Sequence, residues 1–323
     1  MVPSGHKLYD ERYQSGVEGS PMKIWEFAKV DGSSIKVDNW ISDTIGIVDG
    51  GCVYSTLFKH PAHGPKDYEI MLSMFPQENY RTLTHITMYM DDVPGSSAQA
   101  AHFLAEKEIN ILNSVSLNGI SDTVIVWKLM ADMNFAGEGE LMLEQFRALK
   151  AANDPSVSKI KRIELKPADI GRLFKGKVEE SGKEEIRRGY PTTIENGCFD
   201  IGKVYGDILP DIDGKNVLIT MDADSWVCSI TLFKKETKLV KVGLEIPDCP
   251  GSITDALGVL ANWNVNLISV FSKVKICYET MSLELVMDVG MSNKTIPEIK
   301  ELLPKELEKL NGIFTLKEFT ELA

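Results

Sequence analysis

Two stretches of this chain have residue types suited to holding a small ligand: Asp92-Val93-Pro94-Gly95-Ser96 and Asp248-Cys249-Pro250-Gly251-Ser252. A glycine in such a turn lets another group approach the backbone closely. A helix opening directly after it would present unpaired N–H groups and a partial positive charge, which suit a carboxylate. Asp92 and Asp248 carry the opposite charge, for an ammonium. Farther on, Asn110-Ile111 and Asn266-Leu267 each offer an amide that can both donate and accept. The candidate ligand-binding residues are therefore Asp92, Pro94, Gly95, Ser96, Asn110 and Ile111, and in the second set Asp248, Pro250, Gly251, Ser252, Asn266 and Leu267. Every one also has a structural use: Pro-Gly makes a turn, Ser caps a helix, Asp braces its own loop, and Asn tolerates the left-handed region after a helix.

The two sets are the same punctuation 156 positions apart, as Pro94 and Pro250 or Asn110 and Asn266 show, and such self-similarity is the mark of a repeat. Before each turn Ile86, Met88 and Met90, or Val242, Leu244 and Ile246, alternate with more polar neighbours and predict a half-buried strand. After it, Ala101 and Leu104 match Leu257 and Leu260, which with Ile253 share one helix face. Ser96 with Gln99, and Ser252 with Asp255, read as capping boxes. A second strand follows from Ile109 or Val265. A third spans Asp122 to Met130 or Thr280 to Met287, then a helix over Glu138 to Ala152 or Lys294 to Leu310, where Pro304 is expected to kink or divide it. Closing strands are Ile160 to Leu165 and Gly312 to Phe319. The order strand, helix, strand, strand, helix, strand is that of a ferredoxin-like sheet.

The repeat extends upstream, where Asp49-Gly50 and Val53 match Asp213-Gly214 and Val217. This smaller unit reads as a hairpin: Val53 to Phe58 with Tyr68 to Phe75, and Val217 to Met221 with Val227 to Phe233. The expected organisation is a tail over 1–22, a small β module over 23–80, a ferredoxin-like domain over 81–166, a Gly-punctuated charged linker over 167–190, a second module over 191–238 and a second domain over 239–323.

With turn, helix and following Asn recurring at one spacing in this element order, residues 84–165 and 240–320 resemble the ACT domain. The fold class is accordingly α+β: two ferredoxin-like βαββαβ (ACT-like) domains, each preceded by a small β-rich module, arising from an internal duplication. What the resemblance implies is a non-catalytic regulatory protein that binds an amino acid or a similar small carboxylate. Two ACT units would pair sheet edge to sheet edge, between chains as a homo-oligomer or within the chain as an intramolecular pair. The ligand would lie at the interface, between one unit's turn and its partner's strands. The implied settings are a regulated enzyme of amino-acid metabolism, for which this chain would be a regulatory subunit, or a ligand-responsive transcriptional regulator.

Composition narrows these settings. The net charge of -12 argues against nucleic acid as a partner, the short basic runs Lys159 to Arg162 and Lys183 to Arg188 being mixed with acids. No apolar run is long enough to span a bilayer. Five scattered cysteines without CxxC spacing fit neither a disulfide framework nor a zinc site, and point to the cytoplasm. No phosphate loop or nucleophile elbow is present, so no catalytic residue, cofactor or metal is assigned. His60 and His63, near Asp67 and Glu69, are the one metal-like grouping, and a solvated loop is the expected reading.

Overall fold

The computed structural model describes residues 25–37, 41–42, 46–75, 83–121, 123–133, 139–167, 182–222 and 227–322. The expected tail, 1–22, and most of the expected linker, 168–181, lie outside the described residues. The first half runs β1 (Trp25–Lys29), β2 (Ser34–Lys36), β3 (Cys52–Lys59), β4 (Lys66–Ser73), β5 (Leu83–Asp91), α1 (Ser96–Ala105), β6 (Asn110–Ser121), β7 (Val124–Asp132), α2 (Gly139–Ala151), a 3-10 turn at Pro155–Val157 and β8 (Ile160–Pro167). The second runs β9 (Glu184–Thr193), β10 (Cys198–Asp200), α3 (Ile201–Tyr205), β11 (Asn216–Asp222), β12 (Val227–Phe233), β13 (Leu239–Pro247), α4 (Ser252–Ala261), β14 (Asn266–Ile276), β15 (Thr280–Asp288), α5 (Ile296–Leu307) and β16 (Thr315–Glu321).

Strands β5 to β8 form an antiparallel sheet in the order β6-β7-β5-β8, and β13 to β16 repeat it as β14-β15-β13-β16. The alternation before each turn is what places these sheets. Ile86, Met88 and Met90, like Val242, Leu244 and Ile246, are buried on one face. Against them α1 packs Ala100, Phe103 and Leu104, and α4 packs Ala256 and Leu260 with Ile253 and Leu257 partly buried. In α5 Ile299, Leu303 and Leu307 recur every four residues on the buried stripe. Pro304 neither divides nor ends this helix. It lies in the last turn, and its own carbonyl still accepts from Glu308 N at 3.0 Å.

The two small β modules, expected as separate units, are instead one six-stranded sheet in the order β1-β11-β12-β4-β3-β9. Each half lends its first strand to the other half's hairpin. Thus β1 pairs with β11, β9 pairs with β3, and β4 meets β12 at the centre. The exchange is reciprocal in detail: Val30 N donates to Lys215 O and Ile194 N to Gly51 O, while Gly32 N donates to Asp213 Oδ1 and Gly197 N to Asp49 Oδ1. Residues 184–190, expected as linker, are therefore strand. Their charged, Gly-containing sequence reads as linker because β9 is an edge strand, exposed along much of its length.

One face of the central sheet, with Val53, Leu57, Ile70, Val217, Ile219 and Ile230, packs against Phe199, Val204, Tyr205 and Leu209. Its other face carries the two ferredoxin-like units. Phe58, Met71 and Phe75 meet Leu83 and Leu112 of the first, and Leu218 and Phe233 meet Leu239, Val286 and Ile268 of the second. Leu112 and Ile268 occupy bulges at matching places in β6 and β14, which turn these side chains toward the central sheet.

Candidate functional site

The first turn runs from the end of β5 into α1 and lines an open cleft of about 470 Å³ with residues Asp91 to Ala98 and Ile125. Gly95, in the left-handed region at φ 85°, is the residue that caps α1, and no side chain caps it. The expected capping box is thus absent. Gln99 is engaged elsewhere: its amide donates to Pro155 O at 2.7 Å and accepts from Lys159 N at 2.7 Å, tying α1 to the start of β8. Ser96 is left only 3% exposed, and its Oγ makes no hydrogen bond.

Lys159, which sequence reasoning treated only as part of a basic run, belongs to this turn. Its Nζ donates to Pro94 O at 2.7 Å, and a Cβ added to Gly95 would stand 3.0 Å from it. The rest of that run is neutralised on the surface. Lys161 pairs with Asp91 at 2.9 Å, and Arg162 stacks on Tyr89 and meets Glu164 at 3.0 Å. The second run is paired likewise, Lys183 with Glu69 and Arg187 with Asp207.

At the second turn Gly251 has the same left-handed conformation, φ 98°, and again caps its helix without a side chain. Its neighbours are spoken for. Asp248 Oδ2 accepts from Tyr278 N at 2.7 Å, and Ser252 Oγ lies 3.1 Å from Cys249 Sγ. Here Asp248 braces the β14-β15 hairpin.

The asparagines do not join the turns within a unit. Asn110 is level with Asp132 and Leu83, at one end of the sheet, whereas the turn leaves β5 after Asp91 at the other. At about 3.3 Å per residue these ends are roughly 25 Å apart. Asn266, level with Asp288 and Leu239, stands the same way to its turn. Each Asn, placed among the candidate ligand-binding residues with its own turn, is kept from it because β5 and β6, like β13 and β14, run in the same direction with one strand between them. Both asparagines are exposed, while Ile111 and Leu267 are half-buried against their cores.

Nor do the two units pair edge to edge within the chain. Among the described residues β6 pairs only with β7, and β14 only with β15, so both keep a free edge. Apolar side chains stand exposed on these strands: Val115 and Leu117 on β6, Val270, Val274 and Ile276 on β14.

His60 and His63 part company. His63 is exposed, but the His60 ring is largely buried, with Nε2 3.2 Å from Glu69 Oε2. Glu69 also takes Lys183 and the Ser229 hydroxyl, at 2.8 Å for the latter. Burial pushes the Glu69 carboxyl up, but the His60 hydrogen bond and the Lys183 charge outweigh it and hold the group well below the usual carboxylate range. Among the described residues no group of three or more His, Cys, Asp or Glu side chains is placed to hold a metal ion. None of the described helices is long and apolar enough to cross a membrane.

The chain is a mixed α/β protein of antiparallel sheets bearing two like-built units. No family model matches the chain, and no curated protein matches it. Among solved structures it is similar to a putative glycine cleavage system transcriptional repressor at 10% identity, over 74% of this chain and 97% of that one, with a TM-score of 0.23. The ligand-free regulatory subunit of aspartate kinase from Thermus thermophilus matches at 10% identity, over 71% and 92%, with a TM-score of 0.21. The acetolactate synthase small subunit from Thermotoga maritima matches at 8%, over 74% and 95%, at 0.20.

Proposed function

We propose that the chain is a non-catalytic regulatory protein that binds an amino acid at its ACT-like turns and responds by changing how it assembles or acts on a partner. The observation that carries this reading is the cleft at the first turn, where α1 opens on a left-handed glycine and the Ser96 hydroxyl has no partner. A helix N-terminus without a side-chain cap leaves N–H donors for a ligand carboxylate. Asp92, exposed on the cleft wall, is placed for the ammonium.

Site completion is proposed to come from a second chain. If the free edge of β6 or β14 lies antiparallel to its counterpart, the turn end of one unit meets the Asn110 or Asn266 end of the other, which a single unit keeps apart. The exposed valines and isoleucine of these edges support such pairing. A net charge of -12 supports a protein rather than a nucleic-acid partner.

Calorimetric titration of the whole chain with each of the twenty amino acids tests the proposal. One of them should bind and raise the melting temperature by mass action, and sedimentation should show an oligomer whose population the ligand shifts. Absence of binding by every amino acid at millimolar concentration would defeat it.

A further inference from the structure

We infer that the two turns do different work: the first, completed by Lys159, holds one amino acid per chain by its α-carboxylate, and the second is closed by its own side chains. This rests on the amino-acid reading of the turn and adds which unit binds, through which cation, and in what number.

Lys159 carries the inference because its placement is electrostatically unfavourable as it stands. Its ammonium lies at the N-terminal end of α1, where the helix dipole repels a cation. Among the described residues no carboxylate comes within 4.0 Å of it, and its one recorded partner is the neutral carbonyl of Pro94 at 2.7 Å. Of the two carboxylates on the cleft wall, Asp91 is paired with Lys161 at 2.9 Å and Asp92 is left for the ligand's ammonium, while two donors of the Lys159 ammonium, the N–H groups of the first helical turn and the buried Ser96 hydroxyl lie beside the same cleft. A carboxylate satisfies all of them, and an ion pair here gains from the dipole it now opposes. The lysine is held for this: its N–H is fixed by Gln99 Oε1 at 2.7 Å and its carbonyl accepts from Asp91 N at 2.9 Å.

The cation and the unpartnered hydroxyl are replaced in the second unit, although its helix also opens on a left-handed glycine without a side-chain cap. Lys159 immediately precedes Ile160, the buried residue beside Met90. The residue that likewise precedes buried Phe314 is Ile313, which is 83% exposed and apolar. Where Ser96 Oγ is unpartnered, Ser252 Oγ is engaged by Cys249 Sγ, and the Asp248 carboxylate is taken by the Tyr278 N–H. The second turn therefore offers a ligand carboxylate no lysine in the place of Lys159 and no unpartnered hydroxyl, and its aspartate is already tied to the β14-β15 hairpin.

The test uses the full chain and whichever of the twenty amino acids binds it. Calorimetry should give one ligand per chain. Lys159→Met should weaken binding tenfold to a hundredfold, the range expected for one charge-assisted hydrogen bond, while the ligand-free melting temperature stays within a degree or two. Lys159→Arg should restore most of the affinity, and the carboxamide analogue of the bound amino acid should bind neither wild type nor variant well. Two ligands per chain, or Lys159→Met binding as tightly as wild type, would overturn the inference while leaving the amino-acid reading intact. Failure of every amino acid to bind wild type would remove both.

Discussion

At the scale of single residues, the strongest electrostatic commitment is away from the turns, at Glu69. Its folded pKa lies well below that of the unfolded chain, because His60 and Lys183 outweigh the opposing effect of burial. The cluster's contribution is therefore fully present above the unfolded value of about 4.3 and is lost as pH falls toward the folded one. Lys183→Met leaves a largely buried carboxylate without its cation and should cost about 3 kcal/mol near neutral pH. Urea midpoints measured from roughly pH 6 to 3 should also fall less steeply in this variant than in wild type. Equal slopes would mean that Lys183 does not set the acidity of Glu69. Ser96 makes the opposite prediction. As a helix cap its loss should cost about 1 kcal/mol, but a buried hydroxyl without a partner is a burden. Ser96→Ala should leave the ligand-free melting temperature unchanged or raised, while amino-acid affinity falls. A lowered melting temperature would show that the hydroxyl has a structural partner.

Elements were legible where local chemistry repeats and obscure where it depends on a distant partner. The alternation of Ile86, Met88 and Met90 and the turn that follows specify a strand and a helix start from nearest neighbours alone, and those elements stand where the pattern puts them. Capping was misread because Ser-x-x-Gln and Ser-x-x-Asp satisfy the pattern at Ser96 and Ser252, yet a left-handed glycine one residue earlier starts each helix. The capping box that does form is at α5, between Thr295 and Glu298, with Thr295 N donating to Glu298 Oε2 at 2.8 Å and Glu298 N donating to Thr295 Oγ1 at 3.4 Å. Thr295→Ala should thus destabilise the chain by about 1 kcal/mol, read as a shift in denaturation midpoint with unchanged m-value. If Ser252→Ala cost more than Thr295→Ala, the assignment of caps would be reversed. The site was half legible for the same reason. Its turn is a local signal, but Lys159 reaches that turn from 65 residues downstream, and the separation of Asn110 from it follows from strand order, which no short motif encodes.

For the whole molecule, the decisive feature is the exchange of first strands between halves. Of the five ladders in the central sheet, β1 with β11, β12 with β4 and β3 with β9 join one half to the other, and only two lie within a half. The small sheet of β2 and β10 is also shared. A half cut from the chain would lose the partners of β1 or β9 and of both strands of its own hairpin, and would uncover Ile70, Leu72, Ile230 or Leu232 at the seam. Residues 1–167 and 168–323 expressed together should therefore purify as a tight one-to-one complex with the melting behaviour of a single body. Either half alone should self-associate, since like strands in two copies can make the same reciprocal exchange about a twofold axis. Sedimentation of the separate halves distinguishes the possibilities. Two stable, non-interacting monomers would show that each half completes its own core, and the six-stranded sheet would then be an association of domains rather than one fold. If the halves instead dimerise, the linkage of both ferredoxin-like units to one shared sheet has a physical basis: a ligand that shifts the first unit against Phe58, Met71 and Leu83 works on a sheet from which the second unit also hangs through Leu218, Phe233 and Leu239.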